Sequence, residues 1–99
     1  MKPLLAVKLR NEINSIDPVL IVTLRNVAVN GVKMGCSGFI TDPRTGKHVY
    51  VSTDNNHGTV RDALYRTAKD TRDYTGGPNN FASYDGLARS AVNLLRSGR

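Results

Sequence analysis

The pair Asn30-Gly31 constrains the fold strongly, because it lies between two runs of strand-forming residues. Asn-Gly supplies the positive φ angles of a two-residue turn whose twist matches that of the flanking strands. The run before it, VLIVTLRNVAV, is rich in β-branched residues. The run after it, Val32 to Thr41, contains Gly35 and Gly38, which indicate a bulge or a close backbone approach. The sequence therefore predicts an antiparallel hairpin in the first half of the chain.

Two further segments of the first half follow the two-residue period of a strand. In LLAVKLR, apolar and basic residues alternate, and the apolar set is Leu5, Val7 and Leu9. The segment KHVYVST follows the turn DPRTG, in which Pro and Gly stand at suitable places. With the hairpin, these segments predict a four-stranded, mainly antiparallel meander over residues 1–54.

The second half has the residue spacing of helices. Thr59 is a suitable N-cap with Asp62 three residues on, and TGGPNN supplies the Gly and Pro that end a helix. Ser83 is a suitable cap for a second helix. We expect one α+β domain over residues 1–99, in which a helical pair at 59–97 packs on one face of the meander. The apolar stripes are Val60, Ala63, Leu64 and Ala68 in the first helix and Tyr84, Leu87, Ala88, Ala91, Leu94 and Leu95 in the second.

The charge and the cysteine content limit the partners and the compartment. The net charge of +6 favours contact with phosphate, with an acidic protein or with an anionic membrane. The single cysteine, Cys36, excludes an intramolecular disulfide and suits the reducing cytoplasm. MKPLLAVKLRNEIN lacks the unbroken apolar run of a signal peptide, and no stretch reaches transmembrane length. We therefore expect no membrane partner.

The alternation in the predicted strands collects basic, hydroxyl and aromatic side chains on the face turned away from the helices. Cations neutralise phosphates, and aromatic rings stack on unpaired bases. This face is a candidate nucleic-acid surface; an ordinary solvated sheet face and a surface for an acidic protein are the alternatives. The predicted nucleic-acid-binding residues are Lys8, Arg10, Thr23, Arg25, Lys33, His48 and Tyr50.

The motifs that catalysis or metal binding would require are incomplete. TDPRTGK has Thr41 where a phosphate-binding loop needs its first Gly, and DNNHG is followed by Tyr65 where a calcium loop needs Glu. Cys36, His48 and His57 lack the spacing of zinc ligands, and Cys36 is expected to be a buried, inert thiol. We predict that the chain is not an enzyme and binds no cofactor, metal or small-molecule substrate.

Charged residues in the first predicted helix stand four residues apart with opposite sign. Asp62 and Arg66, and Arg66 and Asp70, have the spacing of ion pairs on a solvated helix face. A different face of that helix would carry either a second basic patch or ordinary surface residues. Its members are Arg61, Tyr65, Lys69 and Arg72.

The segments YVSTDNNHGTVRDALYRTAKD and LARSAVNLLRSGR resemble the strand-to-helix junction and the second helix with basic tail of coat proteins from single-stranded RNA bacteriophages. The resemblance covers residues 47–99 at most. It implies a structural, RNA-binding capsid protein. Such a protein would form a homodimer through a sheet edge and helices, assemble into a larger shell, and turn its basic sheet face toward RNA in the virion.

Two other functions fit the same small, basic chain. One is a phage-encoded inhibitor, comparable to an anti-CRISPR protein, that binds a host or defence protein. The other is a regulator that binds nucleic acid and never assembles. A coat forms large particles, an inhibitor stays small and binds a protein, and a regulator stays small and binds nucleic acid with a steep salt dependence.

Overall fold

A computed structural model of the chain describes residues 4–53, 63–73 and 78–97. The protein is α+β, and the described residues form one five-stranded antiparallel sheet in the order β1-β2-β3-β4-β5 and two helices. The elements in chain order are α1 (Ala6–Ile16), β1 (Ile21–Val29), β2 (Val32–Asp42), β3 (Lys47–Ser52), β4 (Ala63–Ala68), β5 (Asn80–Ala82) and α2 (Leu87–Arg96).

The predicted hairpin is confirmed as β1 and β2. Asn30 and Gly31 have φ angles of 53° and 80°, as the two central residues of the turn require. The register slips by one residue next to Val27, which leaves Met34 as the extra residue of a bulge. Gly38 has a φ angle of +155°, and a Cβ placed there would lie 1.9 Å from the carbonyl oxygen of Thr23. The two strands therefore approach more closely at Gly38 than a side chain permits.

The prediction of a strand at Leu5–Leu9 is wrong, because this segment begins α1. Ala6, Leu9 and Ile13 are buried in the core, at the i, i+3, i+7 spacing of a helix, whereas Val7 is 56% exposed. The alternation of apolar and basic residues covers only residues 5–9, whereas the helical spacing of apolar residues continues for two further turns, to the end of α1. The side-chain oxygen Oδ1 of Asn26 accepts a hydrogen bond of 2.8 Å from the backbone N–H of Ala6 and so fixes the helix start against β1.

The first of the two predicted C-terminal helices is wrong over its described part. Ala63–Ala68 forms β4, which pairs with β3 from Ser52 opposite Leu64 to His48 opposite Ala68. Its expected cap, Thr59, and the neighbouring Val60 and Asp62 lie outside the described residues. The apolar strand β3 has one edge paired with β2, and its other edge needs a second strand as partner. Pairing of Ala63–Ala68 with that edge stabilises this segment as a strand more than its helical residue spacing favours a helix.

The second predicted helix is confirmed as α2. It begins at Leu87 with Gly86 as N-cap, so the expectation that Ser83 caps it is wrong. The Oγ atom of Ser83 instead accepts a hydrogen bond of 3.3 Å from the backbone N–H of Gly86. Both helices of the described structure pack on the same face of the sheet. The predicted arrangement of helices on one face is therefore correct, but the predicted pair at 59–97 is not, since α1 precedes the strands. The fully buried core consists of Leu9, Ile13, Cys36, Ile40, Val49, Val51, Leu87, Ala91 and Val92.

Three chain segments meet at a cluster of charged side chains at the end of α1. Asp17 Oδ2 accepts hydrogen bonds from Arg44 over 2.5 Å and from Arg96 over 3.3 Å. Asp42 Oδ1 accepts from the side chain and the backbone N–H of Arg44, each over 2.9 Å. The hydrogen bonds from Arg44 hold the pKa of both carboxyl groups below the ordinary value. This acid–arginine cluster joins α1, the turn between β2 and β3, and α2.

Candidate nucleic-acid interface

The strand register sorts the side chains of the sheet between its two faces, because residues directly opposite each other in antiparallel strands point the same way. The helix-side face carries Val22, Leu24, Ile40, Val49 and Val51. We call the opposite surface the outer face. Its side chains form three rows across the strands: Ile21, Thr41, His48 and Ala68; Thr23, Phe39, Tyr50 and Arg66; and Arg25, Ser37, Ser52, Leu64 and Phe81.

Four of the seven residues predicted to bind nucleic acid share the outer face. They are Thr23, Arg25, His48 and Tyr50, and they come from β1 and β3 with β2 between them. Thr23 and Arg25 are exposed, whereas His48 and Tyr50 are half-buried. Strand alternation alone was sufficient to place these four together, because both segments are regular strands.

The other three predicted residues lie elsewhere. Lys8 and Arg10 are exposed on α1, on the side of the sheet that carries the helices. Lys33 lies beyond the bulge and pairs with Ala28, which belongs to the set of alternate β1 residues that includes Val22. The prediction of one seven-residue face is therefore wrong for Lys8 and Arg10, because their segment is a helix, and for Lys33, because the bulge inverts its side.

The centre of the outer face is a stack of three side chains from three strands. The rings of Phe39 and Tyr50 lie 5.3 Å apart at an angle of 57°, and the guanidinium carbon of Arg66 lies 4.6 Å from the centre of the Tyr50 ring. Arg66 also donates to the backbone oxygen of Asp73 over 2.9 Å and to that of Thr67 over 3.3 Å. A cation over a ring face is attracted by the ring quadrupole, so the stack stabilises itself.

This stack changes the expected chemistry of the face. Phe39 and Arg66 are each only 3% exposed, and Tyr50 has one ring face against Arg66. Phe39 is therefore unavailable to stack on a base, and Arg66 is held by protein partners. The helix face predicted for Arg66 is wrong, because Arg66 lies in a strand opposite Tyr50, and it stacks on that ring instead of pairing with Asp70. Asp62, its other predicted partner, lies outside the described residues.

The exposed groups lie around the stack. Arg25 is exposed on β1 at one side of the sheet, and Phe81 is 56% exposed on β5 at the other. Four strand spacings separate them, or about 19 Å. His48 Nδ1 is hydrogen-bonded to Thr41 Oγ1 at 2.8 Å, which fixes the orientation of the imidazole ring. The sequence did not indicate Phe81 as a member of this face, because a strand of only three residues is too short to show an alternating pattern.

The described part of the chain shows no cluster of side chains arranged as metal ligands. In residues 4–53, 63–73 and 78–97, no three His, Cys, Asp or Glu side chains come together as metal ligands would. Cys36 lies on the helix side, fully buried as predicted, with Thr53 Oγ1 at 3.5 Å. Burial raises the pKa of this thiol, which disfavours a reactive thiolate. His57, the second histidine considered as a ligand, lies outside the described residues.

Comparison with family models, with curated proteins and with solved structures finds no match to this chain. None of the described helices is both long and apolar enough to cross a bilayer.

Proposed function

We propose that the protein is a non-enzymatic RNA-binding structural protein, a coat of the single-stranded RNA phage type, whose outer sheet face contacts RNA. The observation that supports this proposal is the composition of a sheet face on which neither helix packs. Arg25, Thr23 and His48 stand on it with the exposed ring of Phe81, in a chain of net charge +6. Arginine neutralises phosphate, hydroxyl groups hydrogen-bond to phosphate oxygens, and an exposed ring offers a surface for base stacking.

The arrangement favours contacts with the RNA backbone over base readout. The aromatic groups at the centre of the face are occupied by Arg66 and by each other, which leaves Phe81 as the exposed ring among the described residues of this face. Packaging requires binding that tolerates many sequences, and phosphate contacts supply such binding. The resemblance to phage coats implies an antiparallel meander followed by two helices; the described structure has the meander and one helix, α2, after it, and β4 stands where the first of the two helices is implied.

The test is a pair of charge reversals that change the net charge equally. Arg25→Glu alters the outer face, and Lys8→Glu alters the exposed surface of α1 on the helix side. We expect Arg25→Glu to release co-purifying RNA and Lys8→Glu to retain most of it, as measured by the 260/280 nm absorbance ratio across the protein peak. Equal loss in both variants would show that total charge decides retention and would remove the outer face as the interface.

Light scattering on the same peak tests the assembly. A coat elutes as a large particle that contains RNA, whereas a regulator elutes as a small species that binds added RNA. Absence of nucleic acid together with a small mass would contradict the proposal.

One observation favours the protein-binding inhibitor as a second candidate. The end of the β1–β2 hairpin exposes apolar side chains: Val29 is 48% exposed, Val32 59% and Met34 41%. Clustered apolar groups on a surface are typical of a protein contact. A small, RNA-free species that captures one host protein, and loses it on Val32→Asp, would support this candidate.

A further inference from the structure

The end of the β1–β2 hairpin projects beyond the neighbouring strand. The pairing of β2 with β3 begins at Ser37, and every residue from 28 to 34 is exposed. We call residues 28–34 the hairpin arm. It carries one charged residue, Lys33, between the exposed side chains of Val32 and Met34. Because residues 18–41 contain no Asp or Glu, the arm is an apolar and basic surface without a counter-charge of its own.

A groove of about 580 Å³ separates α1 from α2 on the helix side of the protein. One wall consists of Glu12, Ser15 and Ile16 from α1, and the other is formed by residues between 85 and 93, at the start of α2. The hairpin arm does not line the groove of its own chain. The groove and the arm are therefore two separate surfaces of one molecule.

Two carboxylates in this groove lack a counter-charge. Asp17 and Asp42 form ion pairs with arginine, whereas Glu12 and Asp85 have no ion-pair partner in the described part of the chain. Arg89 also lines the groove but pairs with neither of them. One carboxylate oxygen of Glu12, Oε1, is buried and accepts no hydrogen bond from the described residues, an arrangement that costs free energy. The groove is thus a negative site in a chain of net charge +6.

We propose that the hairpin arm of one copy inserts into the α1–α2 groove of a second copy, where the Lys33 ammonium pairs with the carboxylates of Glu12 and Asp85. The inference deepens the proposed function by naming a contact between copies that uses neither a sheet edge nor the outer face. It rests on that function in taking a second copy as the partner, since a coat is built from many copies of one chain.

Arm and groove complement each other in polarity as well as in charge. Lys33 pairs with Ala28 in the strand register, and Val29 pairs with Val32 in the next position. Successive pairs point to opposite sides of a two-stranded ribbon, so the ammonium and the valines leave the arm on different sides. The valine side can contact the apolar part of the groove, where Ile16 is 38% exposed. Exclusion of water from the groove strengthens the attraction between ammonium and carboxylate.

The contact joins two unlike surfaces, and each copy carries one of each. Such heterologous contacts generate closed rings or open chains of copies. An arm of seven residues buries less than the ~800 Å² per partner of a standard interface, so that a single contact is weak and association depends on protein concentration.

Two variants that each disable one surface test the proposal. Lys33→Glu disables the arm and leaves the groove intact, whereas Glu12→Gln disables the groove, keeps its shape and leaves the arm intact. In nucleic-acid-free protein at low salt, each variant alone should self-associate at least tenfold more weakly than the wild type, as measured by sedimentation equilibrium. Mixed together, the two should form a 1:1 complex through one intact arm and one intact groove. Its dissociation constant should lie within about threefold of that of a wild-type contact.

The matched controls make the same changes of charge away from both surfaces. Lys69→Glu and Asp70→Asn alter exposed residues beyond the end of β4 and should associate as the wild type does. Circular dichroism verifies that all four variants are folded. Wild-type self-association of either variant alone, or failure of the two to associate when mixed, would overturn the proposal.

The outcomes for RNA and for self-association are separate. A mixed complex formed by protein that binds no RNA would remove the proposed function alone. RNA-containing particles that assemble equally well from the wild type, Lys33→Glu and Glu12→Gln would remove this inference alone.

Discussion

The helix-side face and the outer face are built from alternate residues of the same strands, yet they are stabilised by different means. On the helix side, Ile40, Val49 and Val51 are fully buried under α1 and α2. On the outer face, Phe39 reaches almost the same burial beside Tyr50 and is not part of that core. One face is closed by other elements of the chain. The other is buried only at its centre, and peripheral residues such as Thr23 and Arg25 are exposed.

The comparison shows why the outer face can carry a function without endangering the fold. Residues that seal the helix side are constrained in volume and polarity by their neighbours in the core. Thr23 and Arg25, at the periphery of the outer face, are exposed and can change with little effect on stability. Substitutions on the helix side should therefore lower the free energy of unfolding more than substitutions of exposed residues on the outer face.

The largest expected effect comes from a charge in the helix-side core. Leu87→Asp places a carboxylate at a fully buried position, and we expect a loss of more than about 4 kcal/mol in the free energy of unfolding. Circular dichroism with urea titration measures it. Arg89→Asp, on the exposed side of the same helix, serves as the control and should leave the fold intact. A folded Leu87→Asp protein of wild-type stability would contradict the assignment of this face as the core.

A smaller loss is expected from the outer stack. Phe39→Ala removes a buried ring and its contact with Tyr50, and we expect a cost of about 3 kcal/mol, the low end for buried phenylalanine. Thr23→Ala, one strand away in the same row, should change the free energy of unfolding by less than about 0.5 kcal/mol. A cost below about 1 kcal/mol for Phe39→Ala would mean that the outer face has no buried centre.

The smallest change in the free energy of unfolding is expected from the acid–arginine cluster, in which Asp17 at the end of α1 is hydrogen-bonded to Arg44 and Arg96. Because the pKa values of Asp17 and Asp42 are below the ordinary 3.8 in the folded protein, their contribution is present above about pH 4 and is lost as the pH falls through the folded values. Urea unfolding between pH 2.5 and 7 should show this loss. Asp17→Asn should lower the free energy of unfolding at pH 7. It should also make that free energy fall less steeply as the pH decreases below about 4. An acid limb as steep in Asp17→Asn as in the wild type would assign the effect to other carboxyl groups.

The sequence was sufficient to predict β1, β2, β3 and α2, because each has a regular period and a local boundary signal. Asn30-Gly31 determined the hairpin, and the stripe that includes Leu87, Ala91 and Leu95 determined the helix. The antiparallel sheet and the α+β class follow from these elements. The shared position of Thr23, Arg25, His48 and Tyr50 follows from strand alternation.

The remaining elements depended on contacts distant in sequence. The spacing of residues 5–9 fits both a short strand and a helix. Burial of Ile13 in the core, one helical turn after Leu9, favours the helix. Ala63–Ala68 has helical spacing but forms a strand opposite β3. The stack of Arg66 on Tyr50 could not be predicted, since it requires that pairing. The residue pattern of a segment does not show which strand, distant in sequence, it pairs with in the sheet.

The position of α2 after the five described strands has a consequence for synthesis. The segment from Ser52 to Arg96 takes on the order of several seconds to translate at about 5–20 residues per second. During that time β1, β2 and β3 exist without the helix that covers Val49 and Val51. Until α2 has been synthesised, the side chains of Val49 and Val51 therefore lack the part of the core that this helix supplies in the folded protein.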